Sequence, residues 1–390
     1  QSWRAWAETQ SSLLFDTRLP LLFDPERALP AYVRPECVPA AVRGHPRLLP
    51  LSFGIDSEIW HGVTAHTGLP ADCQVPGRAL PSGLDLLVAL GSDEAQSILS
   101  TEYSNTPGLR DAHDRLRRRF SRPLTADRVP ESWLRLVQLL STDRTVPEGI
   151  DPPLWRRRLL QTALASWTNY RHTTVLLSEK ISAECGGGGP AFEMLSNEPL
   201  RGVVDPLPES WEQLSRTLGM LATHSGRLLP DQPDLVRLLS ESATRAHDFS
   251  DMAARQLRGV PLSEAEYHTI QFFSGQIEHP YVKFKTMLSQ TQDAGLAKPE
   301  PASKIVDIAS AGRQVFHMAV GNPLQVVGLF GDRGLLVPAS GGVYSYHELV
   351  ADRPLDDEAW RKRSDPPLPW TPQAQPSGAA TPHKAAAGSR

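Results

Sequence analysis

The sequence lacks the features that mark several classes of protein. It has no run of eighteen consecutive apolar residues, so no segment of it is long enough to cross a bilayer as a helix. Lys and Arg total 40 against 44 Asp and Glu, for a net charge of −4, whereas a nucleic-acid-binding domain carries a basic excess. We therefore expect neither a transmembrane segment nor a nucleic-acid partner.

Signatures of common enzymes and cofactor sites are also missing. The chain contains no Gly-x-Ser-x-Gly elbow, no two histidines four residues apart, and no dinucleotide-binding glycine motif. The four glycines at 186–189 are not followed by the Lys-Ser or Lys-Thr pair of a phosphate loop. We expect no cofactor, and these absences leave open whether the protein is an enzyme.

Only three cysteines are present, and their spacing matches neither a zinc site nor a disulfide framework. One interpretation is a single bridge between Cys37 and Cys73 that leaves Cys185 as a free thiol. The other interpretation is three buried thiols. The sequence leaves both open.

Proline, by contrast, is plentiful: 35 prolines in 390 residues are roughly twice the usual share. Residues 1–80 are punctuated by prolines and weakly periodic, so we expect an irregular segment with one helix at 2–15. Residues 365–390 are rich in Pro, Ala and Gly and have almost no apolar anchor, which predicts a disordered tail.

Helical patterning begins at Pro81 and predicts a helical domain over residues 81–295. Ser82 with Asp85, and Ser263 with Glu266, have the spacing of capping boxes, and Ser92 is a further N-cap. Other helices are predicted at 108–120, 131–140, 208–229 and 233–257, with a last one from Ser263 to Pro280. On the 208–229 helix, one apolar stripe consists of Trp211, Leu214, Leu218 and Leu221.

Between residues 303 and 350 the apolar period changes from about 3.6 to 2, which predicts a small antiparallel meander packed on the helical body. Glycines at 312, 321, 331, 334, 341 and 342 predict turns between five strands. The expected strands are 304–309, 314–320, 324–330, 335–337 and 343–349. The predicted fold class is α+β, with a predominantly α-helical body and a small C-terminal antiparallel sheet.

The longest helical pattern runs from Asp151 to the glycines at 186–189. Asp151 suits an N-cap, Pro152 suits the first helical position, and glycine suits the C-terminal end. The segment ALASWTNYRHTT at 163–174 lies at its centre and packs polar and aromatic residues more densely than a plain core helix requires. It is therefore the first place to look for chemistry.

The 163–174 segment resembles the most recognisable stretch of a bacterial and archaeal family known as domain of unknown function 3160. Similar segments are RALPSGLDLLVALGSDEAQSIL at 78–99, VVDP at 203–206 and GGVYSYHE at 341–348. The resemblance covers about residues 45–372. The chain looks like the C-terminal half of a typical member.

The resemblance implies a location and no activity. Members of the family are typically exported, often as lipoproteins, which implies an extracytoplasmic home: periplasmic, cell-surface or secreted. The family's activity is not established. The N-terminal half of a full-length member is one implied partner, and otherwise we expect an unknown protein or a small-molecule ligand.

Arg171 and His172 are candidate catalytic residues, because both lie off the apolar stripe of the central helix. Glu179 shares a helix face with His172, and Asp205 is a candidate carboxylate from another element. One interpretation is a polar catalytic site built from these four residues. The other, which we favour, is that buried Arg171 and His172 are structural links to a carboxylate such as Asp205 or Asp85.

Candidate ligand-binding residues are Trp167 and Thr168 on the central helix and Tyr344 and Tyr346 on the last strand. Aromatic residues at period two can form a platform for a carbohydrate or a peptide, although such residues more often belong to a core. All four are predicted here as ligand contacts.

His61 and His66 are a candidate loop metal site. Their spacing fits neither the helical zinc pattern nor one face of a strand, and no third ligand is spaced with them. We therefore predict no metal-ligating residues.

The absence of a recognisable catalytic set favours a non-enzymatic protein. Together with the implied export, it predicts an extracytoplasmic binding or structural protein. The alternative is an extracytoplasmic hydrolase whose polar site on the central helix uses Arg171, His172 and a carboxylate.

Overall fold

The computed structural model describes residue 37 and residues 54–66, 69–175, 202–290, 302–332, 335–363 and 368–370. Within these ranges it has eleven α-helices and one three-stranded antiparallel sheet. The predicted α+β class with a helical body is confirmed. None of the described helices is long and apolar enough to cross a membrane.

The helices of the body follow one another with short connections. In chain order they are α1 Ile55–Gly62, α2 Gly83–Ala89, α3 Asp93–Leu99, α4 Leu109–Phe120, α5 Val129–Thr142, α6 Pro152–Val175, α7 Pro208–Leu228, α8 Pro233–Leu257, α9 Glu264–Gln271 and α10 Phe273–Gln290. After the sheet comes α11 Asp357–Arg361.

Capping residues place several of these helix starts. The Ser82 side chain accepts a hydrogen bond from the backbone of α2 while Asp85 reaches back to the Ser82 N–H, which makes a capping box. Ser263 and Glu266 do the same for α9, and Ser92 caps α3. These predicted helix starts are therefore confirmed.

The main core is built around α2, all seven residues of which are buried. Helix α6 packs against α5 and against all three strands, so it lies between the helical body and the sheet. A second, smaller core joins α8 and α9, with Phe249 and Tyr267 among its buried residues. Helix α7 ties this part to the body, since Gln213 donates to the Ser132 backbone at 3.1 Å.

The sheet has the order β1-β2-β3, with strands Lys304–Ala311, Gln314–Asp332 and Leu335–Ala351. The expected five strands are therefore wrong in number, because glycines read as turns lie inside long strands. Gly341 and Gly342 pair with Val326 and Gln325 in the ladder, and Gly321 lies at a register shift. The antiparallel meander itself is confirmed.

The helix predicted from Ser263 to Pro280 is also different. It ends at Gln271, and α10 begins at Phe273 and contains Pro280 in its interior. A proline removes one helical hydrogen bond without always ending a helix, so its position does not by itself mark a helix end. This break leaves Phe272 between the two helices.

The N-terminal segment contains more structure than the sequence indicated. Helix α1 was not predicted, and a 3₁₀ turn occupies Ala71–Cys73. Cys37 and Cys73 form a disulfide bond, which decides between the two interpretations of the cysteines. Cys185 and the predicted helix at 2–15 lie outside the described residues.

Part of the predicted disordered tail is described and packs on the body. The Pro369 carbonyl accepts a hydrogen bond from Gln161 at 3.1 Å, and the Trp370 ring lies 5.6 Å from that of Tyr346. Residues 371–390 lie outside the described residues.

The disulfide gives a prediction about stability. The bridge spans 36 residues, so its reduction should lower the free energy of unfolding by about 3–4 kcal/mol, through the larger entropy of the open chain. Thiol alkylation of the unfolded, unreduced protein should label one cysteine of three, and a Cys185→Ser variant should then label at none. Labelling of all three in the unreduced protein would contradict the bridge.

Candidate functional site

Arg171 and His172 contact carboxylates on different elements. The Nε of Arg171 lies 3.4 Å from Oδ2 of Asp56 in α1, and Nε2 of His172 lies 2.9 Å from Oδ2 of Asp357 in α11. Successive helical residues point about 100° apart, so the two side chains diverge. The structure does not bring them into one site.

The other two predicted catalytic residues do not join them. Asp205 accepts two hydrogen bonds from Arg158, at 3.0 and 2.5 Å. Glu179 lies outside the described residues. Asp205 or Asp85 was the expected partner of Arg171, and its partner in the structure is Asp56. The hydrolase hypothesis stays a prediction.

The predicted ligand contacts on the central helix are packed inside the protein. Trp167 is buried and stacks on Tyr170 at 5.1 Å between ring centroids, and Tyr170 stacks on Trp133 at 5.6 Å. The Thr168 hydroxyl donates to the Leu164 carbonyl at 2.7 Å. On β3, Tyr346 is buried, whereas Tyr344 is exposed.

His61 and His66 lie close together, with ring centroids 4.2 Å apart. Burial, with a contribution from the neighbouring His66, lowers the pKa of His61 to about 4. In the part of the chain that the structure describes, no group of three or more His, Cys, Asp or Glu side chains is arranged to hold a metal ion.

A buried polar cluster lies at the start of α2. Asp85 is fully buried, and its carboxylate contacts Nη1 of Arg78 at 2.8 Å and Nε2 of His113 at 2.7 Å. His113 in turn contacts the Tyr103 hydroxyl at 3.0 Å. Burial opposes ionisation of Asp85, but the Arg78 charge and the His113 hydrogen bond outweigh it, so its pKa is lowered.

Glu348 of β3 completes this cluster from the sheet. It accepts hydrogen bonds from the Gly83 N–H at 2.8 Å, the Ser82 hydroxyl at 3.1 Å and the Tyr346 hydroxyl at 2.8 Å. Burial raises the pKa of Glu348 to about 7, and the charge of Asp85 acts in the same direction. Two neighbouring carboxyl groups thus differ in protonation near neutral pH.

Gly83 makes this approach of the sheet sterically feasible. A Cβ built on Gly83 would lie 2.2 Å from the Tyr346 hydroxyl oxygen and 2.9 Å from Glu348 Oε1, both too close for any side chain. The cluster therefore clamps β3 onto α2. The Ser82–Asp85 capping box was predicted, but Glu348 was not, because no local pattern links residues 265 positions apart.

A different kind of site lies between α7, α8 and α10, where a groove has a volume of about 630 Å³. Its floor is aromatic, with ring centroids 5.2 Å apart for Trp211 and Phe249 and 5.3 Å apart for Phe249 and Phe273. Phe272 and Ile277 line it and are 59% and 55% exposed. The polar residues that line it are Glu241, Ser242, Arg245, Gln276 and His279.

Sequence reasoning identified only the α7 side of this groove, and not as a groove. Trp211, Leu214 and Leu218 belong to the stripe noted on the 208–229 helix, and all three line the groove. An apolar stripe at helical spacing predicts burial and does not tell whether another element covers it. Only the placement of α10 shows that this stripe lies beside an open cavity.

The raised pKa of Glu348 predicts the pH dependence of stability. Between about pH 4.5 and 7 the folded protein holds a proton that the unfolded chain releases, so this residue's contribution to the free energy of unfolding falls as pH rises. Glu348→Gln should remove that decline. Over this pH range the free energy of unfolding of the variant should therefore rise by up to about 3 kcal/mol relative to that of wild type. Urea unfolding at several pH values measures it.

Glu358→Gln is the matched control, since Glu358 is exposed on α11 and its side chain pairs with exposed Lys362. Its pH profile should follow that of wild type. An unchanged profile in Glu348→Gln would contradict the assignment of the proton to Glu348.

Comparison with known proteins gives a family and no activity. No curated protein and no solved structure matches the chain significantly. A family model described as "Protein of unknown function (DUF3160)" matches residues 36–371, which is most of the chain and includes α2, the central helix, the groove and the sheet. The chain therefore belongs to the DUF3160 family, as its sequence motifs indicated.

Proposed function

We propose that this protein is an exported, non-enzymatic binding protein whose groove between α7, α8 and α10 takes an apolar small molecule. The observation that carries the proposal is the aromatic lining of a cavity of about 630 Å³. Small-molecule sites are typically clefts of about 300–1,000 Å³ with mostly apolar walls and a few polar groups. The groove has both properties.

The exposure of the groove's apolar side chains supports binding over a purely structural role. Covering apolar surface contributes about 25 cal/mol per Å², so leaving Phe272 and Ile277 in water forgoes stability that closer packing would supply. Contiguous exposed apolar patches on proteins commonly mark interaction sites. A bound ligand would cover this one.

The groove also has a firm frame, which limits the cost of binding. Ser132 of α5 and Thr217 of α7 share a hydrogen bond of 2.7 Å, and Trp211 donates from its indole N–H to the Asp205 carbonyl at 3.0 Å. A preformed site loses less conformational entropy when its ligand arrives.

Export is supported by the Cys37–Cys73 disulfide. Disulfides persist in oxidising compartments and are rare in the reducing cytosol. We accordingly propose a periplasmic, cell-surface or secreted location, which agrees with what the family resemblance implies.

Titration with the neutral, apolar dye N-phenyl-1-naphthylamine tests the proposed function. We expect saturable binding of one dye per chain, with energy transfer from tryptophan to the bound dye. Gly275→Leu should weaken binding at least about tenfold, because Gly275 lines the groove and a larger side chain would occupy it. Binding is measured by fluorescence.

Gly219→Leu is the matched control. Gly219 is also a helical glycine around which an added Cβ meets no atom within 4 Å, but it is not among the groove-lining residues. This variant should bind the dye like wild type. An absence of saturable binding, or equal losses in both variants, would refute the groove as the binding site.

A further inference from the structure

The charged side chains that line the groove differ in whether they form an ion pair. Glu241 accepts a hydrogen bond at 3.1 Å from Arg237, which lies about one turn before it in α8. His279 lines the groove from α10. Arg245 lines it from the middle of α8, with its side chain partly buried.

Arg245 makes no ion pair with any residue in the described part of the chain. Its natural helical partner is Glu241, four residues before it, in the orientation that best stabilises a helix. Glu241 instead pairs with Arg237, which also binds Asp234 at 2.8 Å. Arg255, further along α8, pairs with both Asp251 and Glu266.

An unpaired guanidinium beside an aromatic groove has a specific chemical use. Partial burial removes water from the charge, and a carboxylate or phosphate can restore the lost interactions through two parallel hydrogen bonds. Arginine also lies well against aromatic and apolar surface, because its guanidinium is planar and weakly hydrated. The groove therefore offers an apolar body site and a cationic head site in one cavity.

We infer that the ligand is a single-chain amphiphile with an oxyanion head, held by Arg245 with its apolar tail against Trp211, Phe249 and Phe273. This inference rests on the proposed function. The volume of about 630 Å³ suits one small molecule, which favours a single-chain amphiphile over a two-chain lipid. His279, which lines the groove from α10, supplies a second donor.

Two ligands of equal chain length, dodecanoate and the neutral dodecan-1-ol, separate the contribution of the head group to the affinity from that of the tail. Both are titrated against the full chain by calorimetry. Wild type should bind dodecanoate about tenfold more tightly than dodecan-1-ol, as expected for one charge-assisted interaction. Arg245→Met should abolish this preference while leaving the affinity for dodecan-1-ol unchanged.

Arg216→Met serves as the control for loss of a positive charge. Arg216 is exposed on α7, pairs with Glu212 and does not line the groove, so this variant should keep the preference for dodecanoate. Arg245→Lys should keep part of it, because lysine retains the charge without the bidentate geometry.

The outcomes distinguish this inference from the proposed function. Equal affinity of wild type for the two ligands, or a preference that survives in Arg245→Met, would overturn the role of Arg245 and leave the apolar groove standing. If neither ligand nor the neutral dye binds, the proposed function itself fails. Tighter binding of a dodecanoyl phospholipid than of dodecanoate would overturn the single-chain assignment.

Discussion

The buried carboxylate of Asp85 is the constraint on which the rest of the body depends. A charge in the core costs several kcal/mol unless it is paired, and here Arg78 and His113 both meet it. Arg78 also donates to the Val63 carbonyl, so the same network joins the end of α1 to α2 and α4. Glu348 then fixes the sheet to the start of α2, where Gly83 leaves room for it.

This arrangement separates architecture from the candidate binding surface. The polar groups of the central helix connect elements: Arg171 reaches α1 through Asp56, and His172 reaches α11 through Asp357. The groove, by contrast, belongs to α7, α8 and α10, around a small core of its own. The body holds the frame in place, while aromatic side chains beside it are left uncovered and Arg245 has no carboxylate partner among the described residues.

Sequence reasoning worked where the determining interactions were local. Capping boxes at Ser82 and Ser263 are read within four residues, and both were predicted correctly. It failed where partners are distant or where a residue type has two uses. Glu348 accepts its hydrogen bond from Gly83, which is 265 residues away in the sequence. Gly341 extends a strand instead of ending it. The apolar stripe that contains Trp211 gave no sign of an open groove. The burial of Thr168 likewise depends on tertiary packing that no spacing reveals.

If ligand contacts lie in the aromatic groove and the polar residues of the central helix belong to the fold, a bound ligand should affect only the groove. Chemical-shift mapping by NMR during a dodecanoate titration measures this. We expect saturable changes at Trp211, Phe273 and Arg245, with the signals of His172 and Tyr346 unmoved. Changes centred on His172 and Arg171, with the groove unaffected, would contradict it and place the site on the central helix.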